Sequence, residues 1–212
     1  SVSVSYGSSA VEALCVNSVL KLRYNSILYT AAETAELGAS LDELLPYGRV
    51  YVKSDGSGDG LTPETPSDSL ANAISLLSQG GGTVVLLDAY PVSESFEEPA
   101  HSSRITLTGG ALSFPEGAVY RLGGPLNLDG VALRNAGELT IDAGIHSLTA
   151  GESCPADAPG AIILQGDDLF IADGSFGELR CGSKTVVSGG WIGKIILSGS
   201  SSLDILKGEI AS

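Results

Sequence analysis

Two groups of carboxylates in this 212-residue chain are spaced for chemistry. The first is Asp55-Gly-Ser57-Gly-Asp59-Gly60, where hard oxygen ligands alternate with glycine as in the first half of a calcium-binding loop. The twelfth position of such a loop needs a bidentate Glu, and Pro66 stands there. The run therefore reads as a tight turn whose Asp side chains cap backbone amides. Asp55 and Asp59 are candidate ligands for adventitious calcium, and no other cofactor is expected. The second group is Asp167-Asp168, followed by Asp173 and Arg180. Two carboxylates can divide acid and base work when their surroundings separate their pKa values. Yet Gly166-Asp167-Asp168 is turn-like and precedes a strand, so a solvated corner is the expected reading.

The remaining reactive residues are few. His101 and His146 are the only histidines, and no Ser/His/Asp arrangement follows from their spacing. Both are expected to be exposed or to cap backbone. Trp191 either stacks on a sugar ring or fills a corner, and burial is the expectation. Tyr90 and Tyr120 carry the same ambiguity. Cys15, Cys154 and Cys181 make an odd count without a C-x-x-C pair, which argues against zinc. Cys154 and Cys181 either face each other on neighbouring turns of a repeat or stand as two half-buried thiols.

The stretch from Tyr51 to Asp88 sets the start of the repeating strands. Tyr51-Val52 suits a strand, and Gly56, Gly58 and Gly60 supply positive φ for a turn. Pro63 and Pro66 delay a helix, and Ser67 or Asp68 then caps it. Leu70, Ile74 and Leu77 share one helical face. Gly80 sits where a C-cap glycine belongs. Val84 to Leu87 is a continuous apolar run, as in a strand buried on both faces.

The run "YVKSDGSGDGLTPETPSDSLANAISLL" followed by "GGGTVVLL" resembles the entry segment of the pectate-lyase-like right-handed parallel β-helix superfamily. The resemblance covers about residues 50–110 by motif and the rest by repeat pattern alone. It implies the fold and an extracellular or cell-surface, carbohydrate-related setting. Lyases of this superfamily use clustered carboxylates that bind calcium together with an Arg or Lys base, and its hydrolases use acid pairs. No such motif matches residue by residue here, and the fold hosts both enzymes and non-catalytic modules.

From Val84 onward the chain repeats. Val84, Ile105 and Leu126 head strands 21 residues apart, and later strands start near Leu139, Leu169, Val186 and Leu203. Each alternates apolar and polar residues and runs into glycine. Ala150 to Pro159 interrupts the spacing and reads as a loop. Residues 1–49 do not fit the repeat. Ser1–Tyr6 alternates like an edge strand, Ala10–Val16 reads as a short helix, Val19–Tyr24 and Ile27–Thr30 as strands, and Ser40–Leu45 as a capped helix.

Composition fits this picture. The 28 glycines exceed ordinary usage and suit short strands with tight corners. A net charge of −14 argues against nucleic acid and anionic membrane surfaces as partners, and no apolar run is long enough for membrane insertion. The chain has no Met, so a processed chain or an excised domain is expected. The predicted fold class is all-β: a right-handed parallel β-helix of five to seven coils over residues 50–212, capped by the Leu70–Leu77 helix. Residues 1–49 form a small mixed α/β cap or subdomain. The expected function is a non-catalytic structural, adhesin or glycan-contacting module. The alternative is a polysaccharide lyase or glycoside hydrolase built on Asp167, Asp168, Asp173 and Arg180. Expected partners are polysaccharide or cell-surface glycan, with self-association or a further domain covering the apolar rung at Leu203–Ile210.

Overall fold

The computed structural model describes residues 48–78, 81–151, 161–199 and 201–211, and the backbone of three earlier strands. These are Glu12–Val16 (β1), Val19–Tyr24 (β2) and Ile27–Thr30 (β3). They form an antiparallel sheet with Val16 opposite Val19 and Tyr24 opposite Ile27. Residues 12–16 are thus a strand where the sequence predicts a helix. Only two residues separate Val16 from Val19, and pairing along the whole of β1 overrides a short helical preference. The strand expected at 1–6 and the helix at 40–45 lie outside the described residues.

The larger part opens with Arg49–Val52 (β4) and the helix Leu70–Leu77 (α1). The helix buries Leu70, Ala73, Ile74 and Leu77 and packs on β4 and the next strand, Gly82–Leu86 (β5). Its N-cap is Ser69, whose Oγ accepts from the Asn72 N–H at 3.1 Å. Ser67, one of the two predicted caps, is buried, and its Oγ accepts from the Ser69 N–H. Tyr90 fixes the same helix end: its hydroxyl accepts from Leu70 N–H and donates to the Asp68 carbonyl.

Two features of the entry turn differ from expectation. Only Gly60 of its three glycines has a positive φ, at 79°. Gly56 and Gly58 are required for close backbone approach instead, because a Cβ on either would collide with the carbonyls of Pro66 or Thr65. The run Val84–Leu87 is not buried on both faces: Val84 and Leu86 point into the core, while Leu87 is 40% exposed.

After β5 come Ala89–Pro91 (β6), Ser95–Glu97 (β7), Ile105–Thr108 (β8), Ala111–Phe114 (β9) and Ala118–Arg121 (β10). Leu126–Asp129 (β11), Ala132–Asn135 (β12), Leu139–Asp142 (β13) and Ser147–Ala150 (β14) continue the series. The last are Ile162–Ile171 (β15), Ser175–Val187 (β16), Trp191–Leu197 (β17), Ser202–Ile205 (β18) and Glu209–Ile210 (β19). Every pairing from β4 onward is parallel.

The strands fall into three stacks that the chain visits in turn. The first runs β4-β5-β8-β11-β14 and continues through the C-terminal halves of β15 and β16 to β18. The second runs β7-β10-β13, through the N-terminal halves of β15 and β16, to β17 and β19. The third holds β6, β9 and β12. Because β15 and β16 span both of the larger stacks, those stacks form one curled sheet, with an irregular register between Gly166 and Asp168 where β15 crosses. The chain is therefore all-β with mostly parallel strands, a β-helix-like arrangement.

Burial explains why the stacks form. In the first, Val50, Val84, Leu107, Leu128, Ala150, Ile171 and Val187 lie in one register column, and all are buried. Side chains of all three stacks join a single hydrophobic cluster. The predicted 21-residue interval holds between Ile105 and Leu126, but Ile105 lies opposite Gly82 rather than Val84, so the first interval is 23 residues. Later passes are shorter, with Thr185 opposite Leu169, because only three residues join β15 to β16 and no third-stack strand lies between them. At the far end, Ile205 is 46%, Leu206 73% and Ile210 43% exposed.

Candidate functional site

The outward side chains of the first stack form a ladder. Thr83, Thr106, Asn127, Thr149, Phe170 and Val186 are register partners on successive strands. They alternate with the core column, so the same period-two pattern that buries Leu148 and Leu169 presents Thr149 and Phe170 outward. One step earlier along the strands, Ser147, Asp168, Lys184 and Ser202 form a second row.

Where these rows meet, Arg104, Ser147, Leu148, Thr149, Asp168 and Phe170 line a groove of about 340 Å³. Arg104 enters it from the end of the β7–β8 loop. Its Nη2 donates to Ser147 Oγ at 3.4 Å. Phe170 is 40% exposed, so part of its ring is open to solvent. The groove thus combines one guanidinium, one carboxylate, two hydroxyls and one aromatic ring. That set suits recognition of a polar ligand with an apolar face.

The predicted catalytic residues are not brought together around Arg180. Asp168 is exposed in the groove, in register with Ser147 and Lys184. Asp167 sits at the irregular crossing of β15, packed against Gly182. Asp173 occupies the exposed corner after β15, and its Oδ1 accepts from the Gly174 N–H at 2.7 Å. Arg180 projects from the second stack, where its Nε donates to Glu178 Oε1 at 2.5 Å and its Nη1 to Gln165 Oε1 at 3.5 Å. Lys194 takes the other Glu178 oxygen at 3.1 Å. Hydrogen bonds from Arg180 and Lys194 hold the Glu178 carboxyl below the usual carboxylate range.

The candidate calcium ligands are engaged in turn structure. Lys53 Nζ lies 2.7 Å from Asp55 Oδ1, and this bond keeps the Asp55 carboxyl low. Asp59 Oδ1 accepts from Leu61 N–H at 3.0 Å and from Thr65 Oγ1 at 2.9 Å, which lowers its pKa in the same way. Among the described residues, no three His, Cys, Asp or Glu side chains gather as a metal would require. Trp191 faces outward on β17, partly buried, and its ring lies over Gly193. Cys181 is buried and free, and burial pushes its thiol pKa up; Cys154 lies outside the described residues.

The sequence reading missed Arg104 and Phe170. The available signal was parity: in Leu169-Phe170-Ile171 the aromatic occupies the outward position of an alternating strand. It also expected His101 to be exposed or to cap backbone; the structure buries it, with Nδ1 on the Ser103 carbonyl at 2.9 Å. The reason is Glu98, three residues earlier, which reaches the imidazole at 3.2 Å.

Comparison with known proteins yields two relatives. The chain is 33% identical over 151 residues to the nodulation protein NolX of Rhizobium fredii, covering 69% of this chain and 29% of that protein. It is 35% identical over 151 residues to the nodulation outer protein X of Sinorhizobium fredii (strain NBRC 101917 / NGR234), covering 69% of this chain and 23% of that protein. The chain thus spans less than a third of the length of the relatives it matches. It matches no family model, and no solved structure matches it. No helix among the described residues is long and apolar enough to cross a membrane.

Proposed function

We propose that this chain is a closed, right-handed parallel β-helix of the pectate-lyase-like kind. In this reading it acts without catalysis, as a glycan-contacting platform of an exported bacterial protein. Three parallel stacks around one core support the closed coil, and parallel crossovers are right-handed almost without exception. The words "nodulation" and "outer protein" in the relatives' names support export and work outside the bacterial cell.

The observation that carries the functional reading is the lining of the groove. It offers one carboxylate, Asp168, beside Arg104, hydroxyls and the exposed ring of Phe170. Cleavage by paired acids needs a second carboxyl within about 5–10 Å of the first on the same substrate bond. A sugar ring instead needs an aromatic side chain and a few directed polar groups, and Phe170, Arg104, Asp168, Ser147 and Thr149 support that reading. Calcium plays no part in this reading, because Asp55 and Asp59 are committed to their own turn.

The test is a panel of acidic and neutral polysaccharides scored for both binding and chain cleavage, with and without calcium. Binding without new chain ends, unchanged by calcium or chelator, is the expected result. Release of oligosaccharide that disappears in Asp168→Asn would establish the enzyme reading instead.

A further inference from the structure

A buried cluster of ionisable side chains joins β10 to the loop that carries the chain from β7 to β8. Glu98 is 3%, His101 7% and Tyr120 2% exposed. The Tyr120 hydroxyl donates to Glu98 Oε1 at 2.6 Å, and the Gly123 N–H donates to Glu98 Oε2 at 3.0 Å. His101 Nε2 lies 3.2 Å from the same Oε2, while His101 Nδ1 lies 2.9 Å from the Ser103 carbonyl oxygen.

These contacts fix the proton count. A carbonyl oxygen only accepts, so Nδ1 carries a hydrogen. A neutral imidazole would then present the Nε2 lone pair to a carboxylate oxygen that has no hydrogen to give. The Nε2–Oε2 contact is favourable only when one further proton lies on it. Removing that proton leaves two buried acceptors facing each other, and a buried acceptor without a donor is costly.

The contact sits among the loop's backbone anchors. Glu98 N–H donates to the Arg121 carbonyl at 2.9 Å, His101 N–H to the Gly123 carbonyl at 3.1 Å and Ser102 N–H to the Ser78 carbonyl at 3.3 Å, and the Arg104 carbonyl accepts from Gly82 N–H at 3.3 Å. Gly124 packs so closely on His101 that a Cβ there would collide with its carbonyl and ring. Glu98 from the loop is the titratable group that meets the imidazole, and Tyr120 from β10 meets the other Glu98 oxygen. The neighbouring cations point elsewhere: Arg121 to Ser95 Oγ at 3.4 Å, and Arg104 to Ser147.

We propose that Glu98, His101 and Tyr120 form a proton-dependent clasp that closes the 98–104 loop over the 122–124 turn and opens as pH rises. The direction agrees with the electrostatics. Burial alone pushes the His101 pKa down, but the Glu98 hydrogen bond, the Ser103 carbonyl and the Glu98 charge outweigh it and hold it above the ordinary histidine value. A raised folded pKa places the stabilisation below about pH 6.5 in full, and removes it as pH climbs through the folded value. Tyr120 keeps its proton throughout, since burial and the Glu98 charge push its pKa well up. The loop ends at Arg104, so the clasp also sets the position of the groove's cation; that consequence alone rests on the glycan-contacting reading.

The experiment is a titration of the whole chain between about pH 5 and about pH 9. It follows the His101 imidazole by NMR and, in parallel, amide hydrogen exchange at Glu98, His101, Ser102 and Gly123. The His101 midpoint is expected above its ordinary value of about 6.5. Protection at those amides should fall by about tenfold or more across the same midpoint, while β11 amides stay protected. Glu98→Gln should lower the midpoint and flatten the pH dependence. A wild-type midpoint at or below the ordinary value, or loop protection that does not change with pH, overturns the proposal even if the variant fails to fold. Glycan binding is measured separately at each pH, so a working clasp without binding would sink only the groove reading.

Discussion

Leu126 lies directly opposite Ile105 in the parallel ladder of the first stack, and both are essentially buried. Their neighbours Asn127 and Thr106 are also paired and face outward. This register makes a direct prediction. Ile105→Ala or Leu126→Ala should cost about 2–5 kcal/mol through lost burial and a residual cavity. Thr106→Ala should cost far less. Denaturant melts of the three variants check this, and equal losses would mean a register wrong by one residue.

That register was largely legible in the sequence, because each strand alternates and ends in glycine. The first interval was misread because Val84 looks like the head of a strand, whereas Gly82 is the residue that pairs with Ile105. No local pattern reveals that pairing; it depends on where β5 begins after the helix. The shortening of later passes was equally hidden, since omission of a third-stack strand is a property of the corner and not of the strand sequence.

The helix cap gives a second prediction. Ser69 Oγ accepts from the Asn72 N–H, so Ser69→Ala should destabilise the entry segment by about 1 kcal/mol. Asp68→Ala should change stability less, because the Asp68 backbone carbonyl, and not its side chain, meets Tyr90. A thermal melt of both variants separates them.

The buried hydroxyl at position 120 gives a third. Tyr120→Phe removes the donor to Glu98 Oε1 and leaves that buried oxygen short of a partner. The expected loss is about 1–3 kcal/mol, although the ring keeps its stacked contact with Phe96 at 5.1 Å. A melt of this variant below pH 6 and again near pH 9 should show its penalty chiefly at the lower pH, where the clasp is closed.

The exposed side chains of Ile205, Leu206 and Ile210 give a fourth. Among the described residues, β18 pairs only with β16 and β19 only with β17, and apolar surface next to such strand edges favours association. Light scattering over a concentration series should show self-association, and Leu206→Asp should weaken it. A strict monomer at every concentration would show that this rung needs no cover.

The candidate site was less legible than the fold. Asp168 was named from the sequence, but as half of an acid pair with Asp167. The crossing of β15 separates the two settings, placing Asp168 in the groove and Asp167 against Gly182. Arg104 was invisible because it reaches Ser147, 43 residues away, and only the stacking of parallel strands makes them neighbours.

The most direct test of the central claim is the glycan affinity of Phe170→Ala, measured beside Trp191→Ala on the polysaccharide that binds the wild-type chain best. Phe170 lines the groove and Trp191 lies on the other large stack. The account predicts a loss of about tenfold or more for Phe170→Ala, which is about 1.4 kcal/mol, little change for Trp191→Ala, and no chain cleavage by either. Undiminished binding by Phe170→Ala, or new chain ends released by the wild-type chain, would contradict it.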